Sequence, residues 1–218
     1  MKLLAVRVAR SIWLVPTYFL NPRGVFTRPI VEAIRTRYNF LKTPLDNSIP
    51  PEANSGYKYE HGMFNGKSGP VIIVSLTIHG DGIVVETRSS TNDADAFLED
   101  AINFGSKKFG LPPSSALPIK KIYASEVNVV FDNTPIILNP KLTPFFDQVS
   151  SAIGDDVKGK ADFLSLQLAT DQTRGQLAAF RIDREANTAI GENRYYSFAP
   201  TTTDVHIQLL ETLEQLAI

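Results

Sequence analysis

Apolar positions along this chain switch several times between alternation and helical spacing. Residues 3–15 (LLAVRVARSIWLV) are rich in β-branched and aromatic residues and predict a strand, which Pro16 and Pro22 end. A helix is predicted next, opening at Thr27-Arg28-Pro29 with Thr27 or Arg28 as N-cap and proline in its first turn. Ile30, Val31, Ile34, Tyr38 and Leu41 share its apolar face. Arg28, Glu32, Arg35 and Asn39 share another, and Pro44 stops it. Residues 46–56 (DNSIPPEANSG) hold two prolines and a glycine without periodicity, which predicts a surface loop.

Strands dominate from residue 57. Tyr57, Tyr59 and His61 alternate with Lys58 and Glu60. Residues 71–78 (VIIVSLTI) are nearly all apolar at first, as in a central strand. The turn His79-Gly80-Asp81-Gly82 joins them to residues 83–87 (IVVET) in a hairpin. Residues 92–109 predict a helix capped by Asn92 and followed by Gly110. Asp93 and Asp95 lie in its first turn and Lys107 and Lys108 in its last, each matching the helix dipole. Its buried stripe is Ala94, Phe97, Leu98, Ala101, Ile102 and Phe109.

Further elements are a strand over 119–131, a short helix from Thr143-Pro144 to Gly154, and a second hairpin. That hairpin pairs residues 163–169, with Leu164, Leu166 and Leu168 on one face, with residues 177–184 across the turn 171–175. A short strand over 194–198 follows. The last helix runs from about Asp204, with Val205, Leu209, Leu213 and Leu216 predicted to point inward. Adjacent strands joined by tight turns predict the α+β class: a mixed, mostly antiparallel β-sheet covered by about four helices. One domain over residues 1–218 is expected. Hairpin-then-helix occurs twice, but the copies share no residue-level identity, so it reads as a common building block.

Charge divides the chain more sharply than hydropathy does. Residues 1–45 hold eight Lys or Arg against the single acid Glu32, a net of +7, while residues 46–218 carry −8. Cysteine is absent, which excludes disulfides, thiolate nucleophiles and cysteine-ligated metals and suits a reducing cytoplasm. No apolar run approaches the roughly 20 residues of a membrane span. Lys2, Arg7 and Arg10 ahead of the run 12–20 resemble a secretion signal, but Pro16 interrupts that run and no small-x-small cleavage site follows.

No motif names a reaction or a known family. Asp93, Asp95, Glu99 and Asp100 read as structural and not as a metal site, because Asp93 and Asp95 diverge on a helix and the dipole accounts for both. Asp155-Asp156 and Asp183-Arg184-Glu185 read as solvated acids beside turns. His79 and His206 read as solvated turn and helix-end groups. Gly66-Lys67-Ser68 ends like a P-loop, but that motif needs glycine where His61 stands and a helix afterwards.

The basic segment is the remaining signal. Arg7 and Arg10 face opposite sides of a strand, Arg28 and Arg35 share a helical face, and Trp13, Tyr18, Phe19, Tyr38 and Phe40 are interleaved. Arginine with aromatics suits directed contacts to carboxylates. The expected function is non-enzymatic. It is an interaction or assembly subunit meeting an acidic protein surface, or a second copy of itself, through Arg7, Arg10, Arg23, Arg28, Arg35 and Arg37 with Trp13 and Tyr38. A rival is nucleic-acid binding through the same arginines. A third is a metal-dependent hydrolase with dispersed carboxylates. No catalytic residue, metal ligand or cofactor is assigned.

Overall fold

The computed structural model describes residues 1–25, 27–44, 56–132, 143–153, 164–169 and 179–216. They form an α+β fold of eight strands and five helices. In chain order these are β1 (Lys2–Leu14), α1 (Thr17–Leu20), α2 (Thr27–Tyr38), β2 (Tyr57–Gly66), β3 (Gly69–His79), β4 (Gly82–Thr87) and α3 (Thr91–Phe109). There follow β5 (Lys120–Val130), α4 (Thr143–Ile153), β6 (Ser165–Ala169), β7 (Ala179–Arg184), β8 (Arg194–Ala199) and α5 (Thr203–Gln215). The expected order stands, with α1 added, a single turn too short to announce itself by periodicity. The loop 46–56 (Gly56 excepted), Asp155-Asp156 and the turn 171–175 lie outside the described residues.

The chain forms two compact units. The first holds Val6–Glu126 and Pro200–Asp204. The second holds Met1–Ala5, Val127–Ala199 and Val205–Ile218. Neither division falls in the loop 46–56, because β1 and β5 each contribute residues to both units.

In the first unit the strand order is β2-β3-β4-β1-β5. The pairs β2–β3, β3–β4 and β1–β4 are antiparallel. β3 is flanked on both sides, by β2 and β4, but lies one strand in from the edge and not at the centre that its apolar sequence implies. A bulge between Ile73 and Ser75 re-phases it, so that Val71, Ile73 and Leu76 are all buried. The Gly66-Lys67-Ser68-Gly69 stretch is the β2–β3 turn and opens no helix.

Phe97 of α3 organises this unit's core. The rings of Tyr38, Phe64 and Phe40 meet it edge-on at 4.8, 5.7 and 6.4 Å, a preferred aromatic geometry. Phe40 lies 5.2 Å from Tyr59 in turn. His61 takes a left-handed φ of 57°, which breaks the strand's alternation and sets Gly62, not His61, against the Phe40 ring. Two local corrections arise here. Asn39 adopts φ 51°, so α2 ends at Tyr38 and Leu41 is left exposed outside it. Ser90, not Asn92, caps α3, its hydroxyl accepting the Asp93 amide at 3.0 Å. Gly110 is left-handed at the other end, as expected (φ 67°).

In the second unit the order is β5-β8-β7-β6, with β6–β7 and β7–β8 antiparallel. Val127, Val129, Phe131, Ile182, Tyr195 and Leu210 are buried. The inward face of α5 is not the predicted one. Val205, Leu209 and Leu216 are exposed, while His206 and Leu210 are fully buried. His206 decides the rotation. Its Nε2 lies 2.8 Å from the Ser197 hydroxyl, which itself donates to the Arg181 carbonyl at 2.9 Å. Having spent its proton there, Ser197 accepts from Nε2–H. Burial pushes the pKa of His206 down to about 4.

Two outcomes test this packing. Gly62→Ala places a methyl 2.5 Å from the Phe40 ring, which Tyr38, Tyr59 and Phe97 hold in place. Denaturant melts should show a loss of about 1–3 kcal/mol. For His206, the unfolded chain takes up a proton near its ordinary value while the folded chain resists until about pH 4. Stability should therefore fall as pH drops from about 6.5 to 4, by up to about 3 kcal/mol. A melt series of His206→Gln should lack that slope.

Candidate binding site

The inward stripe of α3 shrinks along the helix. Phe97 and Leu98 fill the space against the sheet, whereas one and two turns later the stripe holds Ala101 and Gly105. A glycine inside a helix costs about 1 kcal/mol relative to alanine, and here the Leu111 side chain takes the space a Cβ would fill, 3.2 Å from its position. A cavity of about 620 Å³ opens beside these residues within the first unit, walled also by Leu20, Ile30, Ile78 and Tyr59. That volume lies in the range of small-molecule sites, which are mostly apolar with a few placed polar groups.

Three segments build the remaining walls. After Pro16 the chain turns across the β3–β4 tip, where the Thr17 amide and hydroxyl both bond the Gly80 carbonyl, at 3.0 and 3.2 Å. α1 and the start of α2 thereby stand over one side. Asn21 braces that turn by reciprocal bonds with the Val25 backbone at 2.8 and 2.9 Å. Tyr59 of β2 is wholly buried, and its hydroxyl has no hydrogen-bond partner among the described residues. Burial raises its pKa well above the ordinary phenol value, so it stays a neutral donor and acceptor. A second cavity of about 430 Å³ adjoins the first, sharing the walls Asn21, Thr27, Val31 and Tyr57.

The acids of α3 are anchors for this architecture. Asp95 accepts from the Ser11 hydroxyl, Trp13 Nε1 (2.8 Å), Lys121 Nζ (2.9 Å) and the Tyr123 hydroxyl (2.9 Å), and so fastens α3 to β1 and β5. Burial pushes the pKa of Asp95 up, but these four donors outweigh it and hold the group below its usual range. Lys121 also lies 4.4 Å from the Trp13 ring centroid, a cation–π contact. Asp100 ties α3 to α2, taking two Arg37 nitrogens at 3.0 and 3.2 Å and the Tyr38 hydroxyl at 2.6 Å. The reading of Asp95 as dipole complement is thus corrected: Asp93 is the acid of the first turn, and Asp95 is a hydrogen-bonded anchor. Among the described residues, no three His, Asp or Glu side chains group as a metal would need.

The predicted contact residues scatter. Trp13 and Tyr38 are buried and present no ring to a partner. Arg10 pairs with Glu86 at 2.8 Å directly across the β1–β4 register. Arg37 is taken by Asp100. Arg28 reaches Glu32 at 3.4 Å along an exposed helix face, a weak pairing. Arg7, Arg23 and Arg35 are exposed and make no ion pair with any described residue. Both histidines read as solvated are placed: His206 is buried as above, and His79 lines the cavity.

The cavity itself was missed. Its one sequence signal was Ala101 and Gly105 continuing the stripe of Phe97 on the best-defined helix.

Comparison with known proteins finds no matching family model, no matching curated protein and no matching solved structure. Among the described residues no helix is long and apolar enough to cross a membrane.

Removing the Asp95 carboxylate should loosen the cavity wall. Asp95→Ala strands four donors and should cost about 3–5 kcal/mol in a denaturant melt. The folded-state pKa of Asp95 is depressed. Its contribution is therefore full above the ordinary aspartate value and lost as pH falls through the folded value. Asp95→Asn should flatten that acid-side loss.

Proposed function

We propose that this chain is a non-enzymatic binding protein whose first unit takes up a small, largely apolar ligand. The observation that carries this reading is the apolar cavity of about 620 Å³ beside Ala101 and Gly105, with Tyr59 in its wall.

A second reading concerns the surface. Arg7, Arg23 and Arg35 make no ion pair among the described residues, and Arg28 is only weakly held. They remain open to an acidic protein surface or to a second copy of the chain in a cytoplasmic setting. Nucleic acid is the alternative partner for the same guanidinium groups, distinguished by a steep loss of affinity with salt.

The cavity reading is tested by filling. Ala101→Leu adds apolar volume into open space, so thermal stability should hold or rise. Binding of the neutral fluorophore N-phenyl-1-naphthylamine should drop at least tenfold by fluorescence titration. Unchanged binding removes the reading. For the surface, Arg28→Glu with Arg35→Glu should shift the gel-filtration volume of any native assembly toward that of the free chain, and no shift counts against it.

A further inference from the structure

The polar groups in the wall of the larger cavity are unequal, and that inequality selects a ligand. Among the described residues that line it no Asp, Glu, Lys or Arg occurs, and most of the side chains are apolar. Nearly all the polar ones are already served. The Thr17 hydroxyl donates to the Gly80 carbonyl, and both ends of the Asn21 amide are bonded to the Val25 backbone. Tyr18, Thr27 and Tyr57 are exposed, so water meets their hydroxyls. The Tyr59 hydroxyl has no accessible surface. His79 remains. It is half-buried, lines the cavity and makes no side-chain hydrogen bond or ion pair with any described residue.

His79 is the last residue of β3 and pairs with Gly82 across the β3–β4 turn. Gly56 lies against its ring: a Cβ added there would stand 3.0 Å from Nδ1. We propose that the ligand is an uncharged amphiphile, an apolar body carrying one hydroxyl or carbonyl oxygen, and that the His79 imidazole bonds this oxygen. This rests on the reading of the cavity as a binding site. An imidazole can give or take a hydrogen bond, so it serves either kind of oxygen. The gain is larger at a half-buried group than at one that bulk water already satisfies. A carboxylate or an ammonium finds no counter-charge among the described residues of this wall, so its desolvation is not offset. A pure hydrocarbon displaces water from the imidazole and puts nothing in its place.

The test uses the full chain at neutral pH and three probes on one ring frame: naphthalene, 2-naphthol and 2-naphthoate, each measured by equilibrium dialysis. The alcohol should bind at least tenfold more tightly than the carboxylate. His79→Leu should lower the affinity ratio of 2-naphthol to naphthalene about fivefold, by weakening 2-naphthol and not naphthalene. His79→Gln, which keeps a donor and an acceptor, should recover part of that ratio. The ratio compares two ligands on one protein, so a general loosening of the cavity weakens both and leaves it unmoved. A ratio unchanged by His79→Leu, or 2-naphthoate binding as tightly as 2-naphthol, overturns the assignment while the cavity reading stands. If neither N-phenyl-1-naphthylamine nor any of the three binds, the cavity reading itself fails. That outcome is distinct because it does not depend on the polar group of the probe or on residue 79.

Discussion

The position of α3 is the constraint on which the first unit depends. It is fixed at two carboxylates and one ring. Asp95 draws four donors from β1 and β5 onto the helix, Asp100 holds α2 through Arg37 and Tyr38, and Phe97 locks three aromatic neighbours around itself. A helix held this firmly at its first half cannot slide toward the sheet to close the cavity beside Ala101. Cavities persist in proteins only where the surroundings cannot relax into them. The same contacts that stabilise α3 therefore fix one wall of the cavity.

Electrostatics here is a question of placement more than of totals. A segment of net +7 reads as one cationic surface, yet the fold distributes it among different tasks. Arg10 completes a cross-strand pair with Glu86, and Arg37 closes a bidentate knot with Asp100. Arg28 stands at the mouth of the smaller cavity, while Arg7, Arg23 and Arg35 face outward. Lys42 and Lys58 converge on Glu60 and pull its pKa down to about 2. Only a subset of the positive groups stays outside ion pairs with described residues, and Arg28, paired with Glu32, differs from these in lining a cavity.

The second unit shows how a polar residue can overrule an apolar stripe. Val205, Leu209 and Leu216 mark an apolar face of α5 by spacing alone, yet His206 and Leu210 occupy the interior. A neutral imidazole that accepts no charge and finds Ser197 is a satisfied core group, and the adjacent Phe180 ring meets it edge-on at 6.0 Å. Hydrophobic periodicity treats histidine as a surface residue, so it rotates the helix by the wrong amount. Leu164 and Leu168 of β6 are likewise exposed although their alternation is clean. Alternation states that a strand has two faces, not that either is covered.

Element types and their order were legible in the sequence because local rules govern them. Proline after Val15, glycine at position 110, the Gly80-Asp81 turn and the spacing of Ala94, Phe97 and Leu98 each act over a few residues. The antiparallel α+β class came from the same source, since short turns leave adjacent strands little other choice. Which face of α5 turns inward, which arginines meet acids of their own chain, and where Asp95 finds its donors were decided by tertiary structure. Those partners are separated by 62 to 84 positions in the cases of Asp100 and Asp95 reaching back to α2 and β1, and no local rule connects them. The cavity belongs to the same class of fact: it is space between elements, and a linear chain carries residues but not the gaps that packing leaves among them.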